Sequence, residues 1–276
     1  MIIKSYSKIN LTLKVLKKLK NGLHDIETNS VLINLFDELN IKKSQKDIII
    51  FKGKFKNKIN SKKNTVIDTL KILRNLKLIN NFYKVVIKKN IPVYSGLGGG
   101  TGNAVSIIQH FLKNKLHEKS IKNFEQKIGS DFRLFLNKCA FQKKLGEVFS
   151  TKNNISSSII IVYPNINCKT KSIYKMVKKF RAPSRSHYLK KVNEIKFIAS
   201  VKRDQNDLQK IVEKKYPKVS RLIKLLDKQK GCTFSRMTGS GSACYGVFKS
   251  KKTAKLAFIN LKRKYPNYWC VITKTI

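Results

Sequence analysis

Glycine fills five of the seven positions from Gly96 to Gly102, inside the run Ile91-Pro92-Val93-Tyr94-Ser95-Gly96-Leu97-Gly98-Gly99-Gly100-Thr101-Gly102-Asn103-Ala104. Tyr83, Val85 and Ile87 alternate like a strand just before it. Ala104, Val105, Ile107, Ile108, Phe111 and Leu112 follow at helical spacing. A glycine backbone takes positive φ without strain and lets a ligand come close. A helix N-terminus beyond it offers unbonded N–H groups at the positive end of the dipole. The chemistry this predicts is anion binding, with phosphate the first candidate. The run is not a Walker A loop, since no Gly-Lys-Ser/Thr follows, and its spacing misses GxGxxG.

A second glycine run, Met237-Thr238-Gly239-Ser240-Gly241-Ser242-Ala243-Cys244, is expected between a helix and a strand. By itself it reads equally well as a tight turn. Asp131, after Gly129-Ser130, is an acid that could accept a proton, or a helix N-terminal carboxylate without catalytic duty. Lys8 sits at the start of an apolar strand pattern, which sets it apart from the many lysines of a solvated surface.

These residues need elements to position them. Ile9, Leu11, Leu13 and Val15 alternate against Asn10, Thr12 and Lys14, predicting one strand over 9–15, with Asn21-Gly22 as the turn after it. Strands are expected over 31–36 and 48–51, and an amphipathic helix over 66–78. The polar stretch around Lys152 to Ser158 reads as a boundary, giving domains of residues 1–152 and 153–276. Beyond it, strands are expected over 159–163, 243–248 and 269–272, and helices over 208–212, 219–226 and 252–265. Interleaved strands and helices predict an α+β or α/β protein.

Composition narrows the function. Lys+Arg number 60 against 15 Asp+Glu, a formal charge of +45. The lysines are spread along the chain, without a basic block or tail, and only eight of the 60 cations are arginine, the residue best suited to bidentate phosphate and base recognition. Abundant Lys, Asn and Ile share AT-rich codons, so compositional drift explains the charge better than a polyanion partner. No specific nucleic acid is therefore expected. No apolar run reaches 18 residues, so no membrane partner is expected either. Five scattered cysteines without CxxC spacing fit neither a disulfide framework nor a zinc finger. A reducing, cytoplasmic setting is expected, the start of the chain lacking a long apolar segment.

Taken in order, five segments resemble the GHMP kinases: Tyr6-Ser7-Lys8-Ile9-Asn10-Leu11, Asn21-Gly22-Leu23-His24, Pro92 through Ala104, Gly129-Ser130-Asp131-Phe132-Arg133-Leu134-Phe135, and Met237 to Ser242. The resemblance implies the two-domain α+β fold of that family, with the active site in the interdomain cleft. It implies a small-molecule kinase using ATP with Mg²⁺, and it assigns no metal ligand and no oligomeric state. Among family members, Lys8, Asn10 and the His24 turn favour those that phosphorylate a methylerythritol carrying a cytidine diphosphate group, in isoprenoid synthesis. A mevalonate- or homoserine-like alcohol, or a basic nucleic-acid-binding protein, is the alternative.

The same resemblance implies Asp131 as the base and Lys8 as the group that orients the acceptor hydroxyl. Pro92, Gly96, Leu97, Gly98, Gly99, Gly100, Thr101, Gly102 and Asn103 would bind the nucleotide. Asn10, His24, Thr170, Tyr174, Gly239, Ser240 and Gly241 would bind the alcohol. Two positions depart from the family. Leu23 stands where an aromatic ring would flank the cytosine opposite Tyr174. Gly102 stands where a hydroxyl would face phosphate, so Gly102→Ser is expected to tighten ATP binding or raise kcat.

Overall fold

The protein, seen here in a computed structural model, is described over residues 2–60, 63–113, 116–184 and 190–276. It divides into two compact units, and neither is a single stretch of chain. The first takes the chain up to Lys8, Leu35–Val93 and Gly98–Leu136, and the second takes Ile9–Asn34, Tyr94–Leu97 and Asn137–Ile276. A cut after residue 152 is therefore not where the compact units part. The reason is covalent: strand β1 (Ile3–Asn10) and the 21-residue strand β3 (His24–Ser44) each contribute residues to both units.

In the first unit, β4 (Ile48–Lys52) and β5 (Phe82–Lys88) run parallel and are joined through helix α1 (Thr65–Asn75). β5 also pairs antiparallel with the later half of β3, from Glu38↔Lys88 to Ser44↔Phe82. Helix α1 starts where the Asn64 side chain accepts hydrogen bonds from Val66 N and Ile67 N, both at 3.1 Å. It packs against α2 (Gly99–Leu112) and α3 (Glu118–Ile128). The Arg133 guanidinium, in the 3₁₀ turn Phe132–Leu136, reaches Glu118 at 3.0 Å and so ties that turn to α3.

The second unit holds β2 (Lys14–Lys18), the early half of β3, β6 (Cys139–Lys144) and β7 (Glu147–Ser150). It also holds an antiparallel sheet in the order β11-β8-β10-β9, formed by Trp269–Thr273, Ser158–Tyr163, Cys244–Phe248 and Cys232–Met237. Helices α6 (Asp207–Lys215), α7 (Pro217–Asp227) and α8 (Lys251–Lys264) cover that sheet, and α4 (Thr170–Tyr174) packs on α6. Ile160, Val162, Leu222, Leu226, Met237 and Phe248 are among the residues of its core. Helix α5 (Glu194–Arg203) completes the unit.

Two sequence expectations change. The strand over 9–15 is two strands, because Leu13 leaves β3 to form a parallel bridge with Asn206. Its polar positions Asn10, Thr12 and Lys14 are all buried. The second glycine run joins two strands, β9 and β10, and not a helix and a strand. The region 232–237 lacks a clean period-two pattern, since Cys232, Thr233, Ser235 and Arg236 interrupt it.

One buried ion pair fixes the approach to the glycine-rich loop. Asp37 is fully buried; it pairs with the Lys89 ammonium through one oxygen. The other accepts from Asn90 N at 2.8 Å and Ile91 N at 2.9 Å. Burial lowers the Lys89 pKa and the Asp37 carboxylate opposes that shift. Asp37→Ala would strand a buried ammonium and release two amides, and is expected to cost about 3–5 kcal/mol of unfolding free energy. Urea denaturation at unchanged slope measures it; a loss below about 1 kcal/mol, the value of an exposed pair, would contradict this account.

Candidate active site

The glycine-rich loop runs from β5 to α2. After the segment pinned by Asp37, Ile91 and Pro92 are buried, and Leu97 is fully buried as an apolar anchor. Gly98 has φ +70° and forms the N-cap of α2, which has no side-chain cap hydrogen bond. The first intrahelical bond runs from Gly102 N to Gly98 O at 2.9 Å. The N–H groups of Gly99, Gly100 and Thr101 thus precede any acceptor in the helix. Gly100 is exposed and Thr101 half-buried, so this turn is open to a ligand.

Side chains are excluded from this turn for specific reasons. A Cβ on Gly98 would meet the Phe135 ring at 2.6 Å and lie 3.4 Å from Lys8 Cε. One on Gly99 would meet Ile91 Cγ2 at 2.9 Å. Gly102 corrects an expectation. Its Cβ would lie 2.8 Å from the Tyr6 carbonyl oxygen, 3.1 Å from Phe135 and 3.3 Å from Ser5 Oγ. The position faces β1, so a serine hydroxyl there would point into backbone rather than toward a bound anion. Asn103 is also buried, and its Oδ1 has no hydrogen-bond partner among the described residues.

In the same unit Lys8 Nζ lies 3.1 Å from Asp131 Oδ2; the lysine side chain is 3% exposed and the aspartate 33%. Asp131 precedes only the five-residue 3₁₀ turn Phe132–Leu136. A helix dipole is a weak reason for an acid there, and the lysine is its charged neighbour. Lys8 and Asp131 are thus brought together across 123 positions of sequence, as the resemblance implied.

The second unit gathers the other candidates. Asn10 N donates to Thr238 Oγ1 at 3.0 Å and Asn10 Nδ2 to Thr28 Oγ1 at 2.8 Å. The turn carrying Gly239, Ser240 and Gly241 docks on residues 95–97. Ala243 N donates to Ser95 O at 3.0 Å, and a Cβ on Gly96 would lie 2.2 Å from Thr238 O. A Cβ on Gly239 would lie 3.3 Å from Asn10 Oδ1. Thr170 Oγ1 and Ser240 Oγ share a hydrogen bond of 3.0 Å. The second glycine run is therefore a turn built against the first loop and against Asn10.

The His24 ring lies 5.1 Å from the Tyr174 ring and 6.3 Å from the Phe180 ring, tilted by 34° and 32°. Leu23, beside it, is exposed. Burial lowers the His24 pKa below its ordinary 6.5, with a smaller push from Lys18, so the imidazole is neutral at pH 7. Phe180 was not singled out from sequence, having no periodic context. Arg181 N donates to Val15 O at 2.9 Å and so fastens this stretch to β2.

The sequence matches two family descriptions, "GHMP kinases N terminal domain" over residues 64–133 and "GHMP kinases C terminal" over residues 189–267. A 4-diphosphocytidyl-2-C-methyl-D-erythritol kinase of Pelagibacter ubique (strain HTCC1062) is 38% identical over 281 residues, covering 99% of this chain and 98% of its own. One from Wolbachia pipientis wMel is 30% identical over 285 residues, covering 99% and 98%. Among solved structures, a 4-(cytidine 5'-diphospho)-2C-methyl-D-erythritol kinase superposes with TM-score 0.72 at 19% identity, covering 99% of both chains. A mevalonate kinase superposes with TM-score 0.68 at 15% identity, covering 99% of this chain and 98% of its own. The folds agree across the superfamily, whereas the identity over the full length singles out one branch: the chain belongs to the 4-diphosphocytidyl-2-C-methyl-D-erythritol kinases of the GHMP kinase family.

Proposed function

We propose that the chain transfers the γ-phosphoryl group of ATP to the 2-hydroxyl of 4-diphosphocytidyl-2-C-methyl-D-erythritol, releasing ADP and the 2-phosphate. The observation that carries the chemistry is the Lys8–Asp131 pair at 3.1 Å, with the Lys8 stem beside Gly98 at the start of an uncapped helix. Phosphoryl transfer asks chiefly for positioning and charge neutralisation. The amides of Gly99, Gly100 and Thr101 receive phosphate oxygens. Asp131 accepts the proton of the attacking hydroxyl as the new O–P bond forms and the bond to the β-phosphate breaks. The Lys8 ammonium orients that hydroxyl and offsets the charge gathering on it.

Mg²⁺ would accompany the nucleotide and supply charge neutralisation at its phosphates. Among the described residues no cluster of three His, Cys, Asp or Glu side chains gathers to hold an ion. The Thr101 hydroxyl would be the loop's oxygen able to hold it, while the loop amides, being donors, would hold the phosphates. For the alcohol, Asn10 and the Gly239–Gly241 turn engage one end, and the neutral His24 ring with Tyr174 engages the pyrimidine. Among the described residues no helix is long and apolar enough to cross a membrane, in keeping with a cytoplasmic enzyme acting on a small molecule.

A coupled ADP-release assay over a panel of alcohols tests the reading. Turnover should require the cytidyl alcohol, and equal turnover with mevalonate or homoserine would remove the substrate while leaving a kinase. In that assay Asp131→Asn should lower kcat by at least about 100-fold, the contribution of a general base, with the KM for ATP little changed. Near wild-type turnover in a folded variant would end the role of Asp131.

Because His24 titrates below its ordinary 6.5, the KM for the cytidyl alcohol should be flat above that pH and rise as the imidazole charges below it. His24→Gln should flatten the profile, and an unchanged inflection would exclude His24. Gly102→Ser now carries the opposite expectation from the sequence reading. Overpacking against backbone costs about 1–3 kcal/mol, so the variant should lose thermal stability and gain no ATP affinity. A tighter KM for ATP at wild-type stability would show that the loop makes room.

A further inference from the structure

Asn206 has no assigned role in the chemistry above, yet its side chain is saturated with contacts. It is 1% exposed. Nδ2 donates to Met237 O at 2.9 Å and to Gly239 O at 2.8 Å. Oδ1 accepts from Leu208 N at 3.0 Å and caps α6. Its neighbours fasten the same point to the chain that leads from Asn10: Leu13 N donates to Gln205 O at 3.0 Å and Asp207 N to Leu13 O at 2.8 Å. The Asp207 carboxylate accepts from Val15 N at 2.9 Å.

The two carbonyls that Asn206 grips bracket the entry to the second glycine turn. Met237 ends β9, and Gly239, at φ +52°, begins the turn that presents Ser240 to Thr170 and lies against Asn10 Oδ1. A residue needed only to fill space or to cap α6 has no use for two donated hydrogens. An amide is the shortest side chain that can accept from its own helix and donate twice elsewhere.

We infer that Asn206 is a positioning residue for the cytidyl alcohol: its amide holds the Gly239–Gly241 turn in register with Asn10, and it acts on substrate binding without touching substrate. The inference rests on the substrate proposed above. It predicts an effect on one substrate only. The amides of Gly99–Thr101 are not held by Asn206, so ATP should be bound as before.

Two variants separate clamp from cap. Serine and aspartate are both good N-caps, but Asn206→Ser removes both donors and Asn206→Asp sets an oxygen against two carbonyls. Both should raise the KM for the cytidyl alcohol on the order of tenfold or more, as small misplacements of binding groups do. The KM for ATP should stay within about twofold, and the melting temperature of Asn206→Ser should stay above that of Asn206→Ala, which loses the cap as well. Wild-type KM values for the alcohol in folded Ser and Asp variants would overturn the inference. So would equal loss for both substrates, or failure of both variants to fold, since either would make Asn206 a general structural residue. A wild-type enzyme that ignores the cytidyl alcohol would instead overturn the substrate assignment.

Discussion

At Gly96 a Cβ atom would sit 2.2 Å from the Thr238 carbonyl oxygen, a separation that no side chain survives. That contact of backbone on backbone is what lets the two glycine runs lie against each other in the second unit. Much else follows from it. Thr238 has its hydroxyl placed to receive Asn10 N, and Ala243 N reaches Ser95 O. The peptide that leaves this docked point at Leu97 must then turn at once into a helix, which Gly98 does at φ +70°. The loop is glycine-rich less because it is flexible than because it is crowded, and each Cβ excluded has a named obstacle.

Such crowding leaves little room for side chains that correct errors, and in each unit buried polar groups hold main chain near the candidate residues. In the first unit Asp37 grips Lys89, Asn90 and Ile91. In the second unit Arg236 donates to the carbonyls of Leu11 and Val201, and Lys14 lies 3.0 Å from Asp204 and 3.5 Å from Glu27. These charges lie next to main chain that carries candidate binding residues. Removing one partner from such a buried network costs far more than an exposed pair would contribute, so small displacements of the loops are resisted. Stiffness of this kind suits a reaction in which positioning supplies most of the catalysis.

How much of this was legible depended on whether the signal was local. The helix after the glycine loop and the strands over 82–88 and 159–163 announce themselves by period, and their glycine and asparagine boundaries are local chemistry. Lys8 and Asp131 have no local mark, and it took an ordered set of motifs to join them. Alternation marks a polar face over residues 10–14, but period two cannot tell water from a buried polar partner. Those partners, Thr28, Asn29, Glu27 and Asp204, come from elsewhere in the chain. Gly102 misled for a related reason. Motif alignment says which residue is missing a hydroxyl, but only packing against Tyr6 and Phe135 says which way that hydroxyl would have pointed.

The charge of +45 takes a different meaning once the buried cations are accounted for. Lys8, Lys14 and Lys89 are paired with carboxylates, and Arg236 is spent on carbonyls. With 60 cations against 15 acids, the net charge stays strongly positive however many ion pairs form. Both proposed substrates are polyanions, and a positive field draws each of them in over roughly a Debye length, about 8–10 Å. That attraction cannot tell one phosphate ester from another. On the proposed function, discrimination falls to groups that act at contact distance: the amides at the head of α2 for phosphate, and Asn10, the His24 ring and the Gly239–Gly241 turn for the alcohol. The compositional excess and the site thus act at different ranges, and a chain can drift far in the first while the geometry of the second is kept by the close contacts at Gly96 and Gly98.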